Sequence, residues 1–181
     1  ELAQKMALLR GHGITRDPEL MNKEPEGPWY YQQIELGFNY RMTELQAALG
    51  ISQMDRLDKF VARRRQIARR YDEQLEHLTV TTPQQHTYSQ SSWHLYVIRL
   101  QLDNTSTKHR ESFEALRAKG IGVNVHYIPV NTQPFYQKIG FNAEDYPEAM
   151  QYYSEAVSLP IFQSMTDCQQ DQVVSALKAV L

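Results

Sequence analysis

An apolar stripe recurs at helical spacing through the middle of the chain. Leu45, Leu49, Leu57, Phe60, Ile67, Tyr71 and Leu75 follow one another at steps of one or two helical turns. Ahead of the stripe, Thr43 and Gln46 have the spacing of a capping box. The pattern predicts one long helix from Thr43 to about His77, roughly 50 Å at the standard rise, with a break in the stripe where Gly50 sits. A shorter stripe, Leu2, Met6 and Leu9, opens the chain and stops at Gly11 and Gly13. Between the two runs Ile14 to Glu35, a connection holding Pro18, Pro25 and Pro28, which rule out a single helix. Connections this long are often functional covers or binding loops. Trp29, Tyr30 and Tyr31 close it, either pinning the loop to the core or meeting a ligand, and a short strand is expected to start there.

Beyond the long helix the period changes. Polar residues from Thr79 to Gln90 read as a boundary. The run from Trp93 to Leu100, "WHLYVIRL", is aromatic and β-branched and reads as a strand, with His94 in a structural role. Thr107 to Lys119 reads as a helix capped by Thr107, with Phe113 and Leu116 inside and Gly120 as its stop. "VNVHY", Val123 to Tyr127, reads as a second strand, and Pro147 to about Ala156 as a helix with proline in its first turn. "VSLP" is a short extended piece. Thr166, again with Gln three residues on, caps a last helix that buries Val173, Val174, Leu177 and Val180. Helices and strands in this mixture make a small α/β layer.

Composition narrows the function classes. With 181 residues, 41% hydrophobic and 22% charged, the chain is globular. A formal net charge of -2 gives no global attraction to nucleic acid or anionic membrane. No apolar run approaches the length of a membrane span. Cys168 is the single cysteine, so no intrachain disulfide can form, and a reducing, cytoplasmic setting is expected. The chain opens inside an amphipathic helix without an initiator Met, which reads as a fragment of something longer. Arg63, Arg64, Arg65, Arg69 and Arg70 form a basic run, but Asp55, Asp58, Asp72 and Glu73 interleave with it, so a solvated, salt-bridged face is expected.

Two stretches could carry chemistry. Asn39, Tyr40 and Arg41 stand at a helix mouth, where free N–H groups and the positive dipole end favour an anion. The Asn39 amide can donate and Arg41 can fork onto phosphate oxygens, although many helices begin with a polar turn and local chemistry alone favours a plain cap. In "VHYIPVNTQPFY", Val125 to Tyr136, a strand ends in His126 and Tyr127 and enters a Pro-punctuated loop. Strand ends followed by polar loops are where α/β proteins place ligands, and His126 could donate a proton or serve structurally. No Gly-rich nucleotide loop, His-Glu metal helix or nucleophile elbow is present, and the histidine spacings suggest no metal cluster.

The stretch "GFNYRMTELQAALGISQMDRLDKFVARRRQIARRYDEQL" resembles the DegT/DnrJ/EryC1/StrS sugar aminotransferases, pyridoxal-phosphate enzymes of fold type I. The resemblance continues through "SSWHLYVIRL", "GIGVNVHYIPVNTQPFYQKIGF" and "YYSEAVSLPIF" and covers nearly the whole chain. "GITRDPELM" and "EGPWYYQQIELGFNYRM" look most like the members that work in pseudaminic-acid biosynthesis. The resemblance implies an α/β chain forming the C-terminal part of the aminotransferase fold: residues 1–50 ending the large cofactor domain, and 51–181 the linking helix and the small domain. It implies that Asn39 reaches the cofactor phosphate of a neighbouring subunit in a homodimer, with Arg41 beside it on phosphate or sugar-nucleotide charge. Tyr40, His126, Tyr127 and Tyr136 would lie near the substrate. The implied reaction moves an amino group, with L-glutamate as donor, onto C4 of a UDP-linked 4-keto-6-deoxy-N-acetylhexosamine. The family's Schiff-base lysine belongs to a Ser-x-His-x-x-Lys segment that this sequence lacks, and Lys5, Lys23, Lys59, Lys108, Lys119, Lys138 and Lys178 stand in other contexts. The chain is therefore expected to be inactive alone. A sugar dehydratase of the same fold, in which a histidine replaces that lysine, and a non-catalytic dimerisation or sugar-nucleotide-binding module remain as alternatives.

Overall fold

The computed structural model describes residues 1–25, 27–101 and 105–181, and within these two compact units, Glu1–Asp55 and Arg56–Leu181. The first unit opens with α1 (Leu2–Leu9), stopped as the glycines predict. Strands β1 (Ile14–Thr15) and β2 (Gln32–Gln33) pair antiparallel, Ile14 with Gln33 and Thr15 with Gln32. The short strand thus follows the Trp29–Tyr31 aromatics rather than starting on them. The unit ends with α2 (Glu44–Met54), whose capping box forms as read: the Gln46 N–H donates to Thr43 Oγ1 and the Thr43 N–H to Gln46 Oε1.

The long helix is not continuous. A turn at Asp55 and Arg56 ends α2, and α3 (Leu57–Leu75) begins anew. The stripe also divides there. Ile67, Tyr71 and Leu75 are buried in α3, whereas α2 buries no residue, and Leu45 and Leu49 are 84% and 63% exposed. Periodicity marks a face that wants cover; it does not say whether this chain supplies the cover.

The second unit is built on a three-stranded antiparallel sheet, β3 (Val80–Thr81), β4 (Tyr96–Leu100) and β5 (Ala156–Leu159), in that spatial order. Tyr96 pairs with Leu159 and Arg99 with Ala156. β4 alternates buried and half-buried residues, while every residue of β5 is buried. Around the sheet stand α4 (Thr105–Ala118), a one-turn helix α5 (Pro134–Lys138), α6 (Pro147–Glu155) and α7 (Asp167–Lys178). Ile67, Tyr71 and Leu75 of α3 join Tyr96, Ile98 and Leu100 of β4, Leu116 of α4, and Val173, Val174 and Leu177 of α7 in one core. The α7 capping box at Thr166 and Gln169 forms as read, with Val180 only partly buried.

Four expectations shift. The strand expected over Trp93–Leu100 begins at Tyr96, because Trp93 takes a left-handed backbone conformation (φ 51°) that breaks the extended run. "VNVHY" forms no strand: Asn124 alone bridges Ser158, exchanging both backbone hydrogen bonds with it. The polar boundary after Thr79 conceals β3. The helix after Leu100 begins at Thr105, ahead of the expected cap, and the Thr107 side chain lies outside the described residues.

Four of the five α3 arginines are fasteners rather than a solvated face. Arg64 Nη1 donates to the carbonyls of Trp93, His94 and Ile161 at 2.8, 3.2 and 3.1 Å. Arg65 Nε donates to the Ser91 carbonyl, Arg63 Nη2 to the Met165 carbonyl and Asp167, and Arg70 Nη2 to Asp171. Their acidic partners come from α7, not from the same helix. The Tyr71 hydroxyl donates to the Pro160 carbonyl at 2.9 Å, and the Tyr96 hydroxyl to Asp72 Oδ1 at 2.6 Å. Burial pushes both phenols far above their ordinary range, and it raises the Asp72 carboxyl against the lowering effect of the Tyr96 bond. None of these perturbed groups is among the candidate site residues; they hold the core together.

Candidate functional site

In the first unit the site rests on glycine-permitted backbone crossings. After α1 the chain turns through His12 and Gly13, both at positive φ, and residues 35–40 double back against residues 9–13. The Phe38 N–H donates to the Leu9 carbonyl at 2.7 Å, the His12 N–H to the Phe38 carbonyl at 2.9 Å, and the Tyr40 N–H to the Arg10 carbonyl at 2.9 Å. At Gly37 the two segments press together: a Cβ there would stand 2.6 Å from the Leu9 oxygen and the His12 carbonyl carbon. A Cβ on Gly13 would collide with the Glu35 carbonyl. Only glycine fits either position.

This ladder fixes which way the next side chains face. The Phe38 and Tyr40 rings stack with centroids 5.1 Å apart and so share one side of the extended segment. Alternation then turns Asn39 and Arg41 to the other side. Asn39 bridges Gly11 through the backbone, and a Cβ on Gly11 would meet Arg41 Nε at 3.8 Å. Both side chains are exposed and neither has a hydrogen-bond or ion-pair partner among the described residues. Arg41 borders two clefts. One, about 670 Å³, runs along α2 past Tyr40, Met42 and Leu49. The other, about 680 Å³, is lined by Arg10, Arg16, Tyr31 and Arg41. Gly11 and Gly13 stand out in the sequence as a helix stop; Arg10 and Arg16, which flank them, do not. The signal was present as two cations either side of a glycine turn, but only the fold shows that they share a cleft with Arg41.

In the second unit, His126 Nδ1 lies 2.7 Å from Ser158 Oγ, and His126 Nε2 lies 3.5 Å from Asn124 Nδ2. Ser158 is 4% exposed, so a buried hydroxyl on β5 anchors the imidazole, a partner that the sequence did not reveal. The Tyr127 ring meets His126 edge-on at 4.5 Å and is itself exposed. Tyr136 belongs to a separate aromatic group, edge-on to Phe135 and Phe141. The loop is fastened by Thr132 Oγ1, which donates to the Pro129 carbonyl at 2.7 Å. No cluster of three or more His, Cys, Asp or Glu side chains suited to a metal ion occurs among the described residues. Among them no helix is long and apolar enough to cross a membrane.

A small antiparallel sheet under helices, preceded in the chain by a helix whose mouth presents an amide and a guanidinium, is matched in solved sugar aminotransferases. The chain belongs to the DegT/DnrJ/EryC1/StrS aminotransferase family, whose model matches residues 1–178. It is 37% identical over 185 residues to the spore coat polysaccharide biosynthesis protein SpsC of Bacillus subtilis, covering all of this chain and 47% of that protein. It is 36% identical over 166 residues to the UDP-4-amino-4,6-dideoxy-N-acetyl-beta-L-altrosamine transaminase of Campylobacter jejuni, covering 91% of this chain and 41% of the other. The fold superposes with a TM-score of 0.88 and 27% identity on a putative sugar aminotransferase, Spr1654, from Streptococcus pneumoniae in its PMP form, covering 99% of this chain and 43% of that one. The chain thus spans less than half the length of these relatives.

Proposed function

We propose that the chain is the C-terminal share of a pyridoxal-phosphate-dependent aminotransferase that acts on a nucleotide-linked keto sugar. The substrate on this reading is a UDP-linked 4-keto-6-deoxy-N-acetylhexosamine, the amino donor is L-glutamate, and the product enters pseudaminic-acid or surface-polysaccharide synthesis in the cytoplasm. The observation that carries the reading is the turn at Asn39 and Arg41: an unpartnered amide and an unpartnered guanidinium held on one side of a glycine-locked ladder. Those residues fit the phosphate end of the cofactor, since amide and guanidinium are both donors suited to phosphate oxygens. When bound, the cofactor supplies an electron sink for moving an amino group between two carbon skeletons.

The chain's own residues then divide the remaining work. Asn39 and Arg41 hold phosphate charge, in a homodimer on the partner's cofactor. Tyr40 faces the opposite way, towards the substrate. His126 donates to or accepts from a sugar hydroxyl, oriented by Ser158, and Tyr127 and Tyr136 line the same substrate. Residues 1–50 end the large domain, and 51–181 form the link and the small domain.

The test is cofactor affinity in the full-length enzyme that carries this chain. Asn39→Ala is expected to weaken pyridoxal phosphate binding about tenfold or more, the cost of one charge-assisted hydrogen bond, with the melting temperature unchanged. Unchanged cofactor affinity in that variant would overturn the reading. For the chain alone, borohydride trapping with pyridoxal phosphate should yield no stoichiometric adduct on any single lysine.

A further inference from the structure

A cleft of about 370 Å³ in the second unit holds charged groups that the candidate site does not use. Arg65, Arg69 and Asp72 line it from α3, and Gln85, Gln90 and Trp93 line it from the loop that leads into β4. The spacing of the three charged residues places them on one helix face. The loop is tied down by its own bonds. Gln85 Nε2 donates to the Ser89 carbonyl at 2.7 Å, the Ser91 N–H to Gln85 Oε1 at 3.0 Å, and Arg65 Nε to the Ser91 carbonyl at 2.9 Å. Trp93 is held at its φ of 51° by the bond from its N–H to Ser91 Oγ and by Arg64 on its carbonyl. A bulky residue in the left-handed region is an outlier of the kind that clusters at ligand clamps.

The charges in the cleft are left unmatched. Arg69 and Asp72 have opposite signs, line the same space and lie within pairing reach on α3, yet Arg69 makes no ion pair or hydrogen bond among the described residues. Asp72 Oδ1 accepts the Tyr96 hydroxyl at 2.6 Å, and a carboxylate has a second oxygen that can accept. Arg65 is engaged with the loop at Ser91. A cation and an anion standing apart in one cleft complement a molecule that carries both charges. Trp93 adds an aromatic wall for an apolar group. The volume lies near the lower end of the range for ligand sites, which suits a small molecule. We propose that this cleft binds an α-amino acid with an apolar side chain: its carboxylate on Arg69, its ammonium on Asp72 and its side chain against the Trp93 ring. None of these residues is among those assigned to cofactor or sugar.

The test titrates L-phenylalanine calorimetrically into the full-length enzyme with its cofactor, as wild type, Arg69→Gln and Asp72→Asn. Wild type is expected to bind it saturably, and each variant to raise the Kd about tenfold, the loss of one charge-assisted bond. Phenylacetate, which lacks the ammonium, and phenethylamine, which lacks the carboxylate, should each bind about tenfold more weakly than L-phenylalanine. Arg69 is exposed and makes no bond among the described residues, so Arg69→Gln should leave the melting temperature unchanged. The KM for L-glutamate in that variant should stay within about twofold of wild type. No saturable binding by wild type overturns the proposal, as does an affinity that Arg69→Gln leaves unchanged, which would place the amino acid elsewhere. Phenylacetate binding as tightly as L-phenylalanine also overturns it, because an anion alone would then suffice. Binding that depends on Arg69 in an enzyme that transfers no amino group would leave this site standing and remove the aminotransferase reading. Amino transfer with L-phenylalanine affinity indifferent to Arg69 gives the reverse result.

Discussion

Nδ1 of His126 lies 2.7 Å from Oγ of Ser158, a buried hydroxyl on a fully buried strand. With the Asn124 amide nitrogen 3.5 Å from Nε2, the tautomer expected is the one that carries its proton on Nδ1 and donates it to Ser158. Ser158→Ala should release the ring at a cost of about 1 kcal/mol in stability. Nitrogen-15 NMR should show a single Nδ1–H tautomer in the wild type and a mixture in the variant. A mixture already present in the wild type would contradict the assignment.

The crossing at Gly37 is the most intolerant position of the first unit. Gly37→Ala places a Cβ 2.6 Å from the Leu9 oxygen, against backbone that cannot give way, and should destabilise the ladder by about 3 kcal/mol or more. Loss of hydrogen-exchange protection at the Phe38 and Tyr40 amides is the measurement. Gly50→Ala is the opposite case. It sits inside α2 with nothing within 4 Å of a new Cβ, so it should stabilise the helix by about 0.5–1 kcal/mol.

Arg64 and Arg69 share a helix and a charge but not a role. Arg64→Ala orphans three carbonyls at once and should cost about 2–3 kcal/mol by urea denaturation. Arg69 is exposed, with no bond among the described residues, and Arg69→Ala should fall within about 0.5 kcal/mol of wild type.

The pH dependence has two opposing parts. The Arg63 hydrogen bond holds Asp167 below the usual carboxylate value, and bonds from Gln74 and Arg70 do the same for Asp171. A depressed folded-state pKa gives stability above the unfolded pKa that is lost as pH falls through the folded one, so this contribution fades below about pH 4. Both carboxylates are exposed and salt screens them, so the effect is modest. Asp72 runs the other way: burial raises its pKa, and its contribution, complete below the unfolded value, is lost as pH rises through the folded one. Melting curves across pH should show a flatter acid limb for Asp167→Asn with Asp171→Asn. Asp72→Asn should remove part of the decline above pH 4. An unchanged acid limb in the double variant would refute the first part.

What the sequence disclosed was whatever is written locally. Both capping boxes, the stops at Gly11 and Gly120, and the α6 start at Pro147 follow from side chains within a few residues of one another. The break at Asp55 and Arg56 did not, because the stripe interrupted at Gly50 resumes at Leu57 and neither Asp55 nor Arg56 is a helix breaker. Val123 to Tyr127 reads as a strand from its alternation, yet Asn124 alone finds a partner on β5. The fastening role of Arg63 and Arg64 is not legible in the sequence because their partners lie about 30 and 100 residues away along the chain. Ser158 beside His126 is a pairing of the same long-range kind.

Every member of the apolar core lies between Ile67 and Leu177, while among the described residues of the first unit only Gly13 and Thr15 are buried. The heat capacity of unfolding, about 12–15 cal/mol/K per residue in a packed domain, therefore belongs to residues 56–181 alone. In a calorimeter the isolated chain should melt as one sharp endotherm from that half. The half bearing Asn39 should contribute a sloping baseline, its order supplied by whatever closes over Leu45 and Leu49.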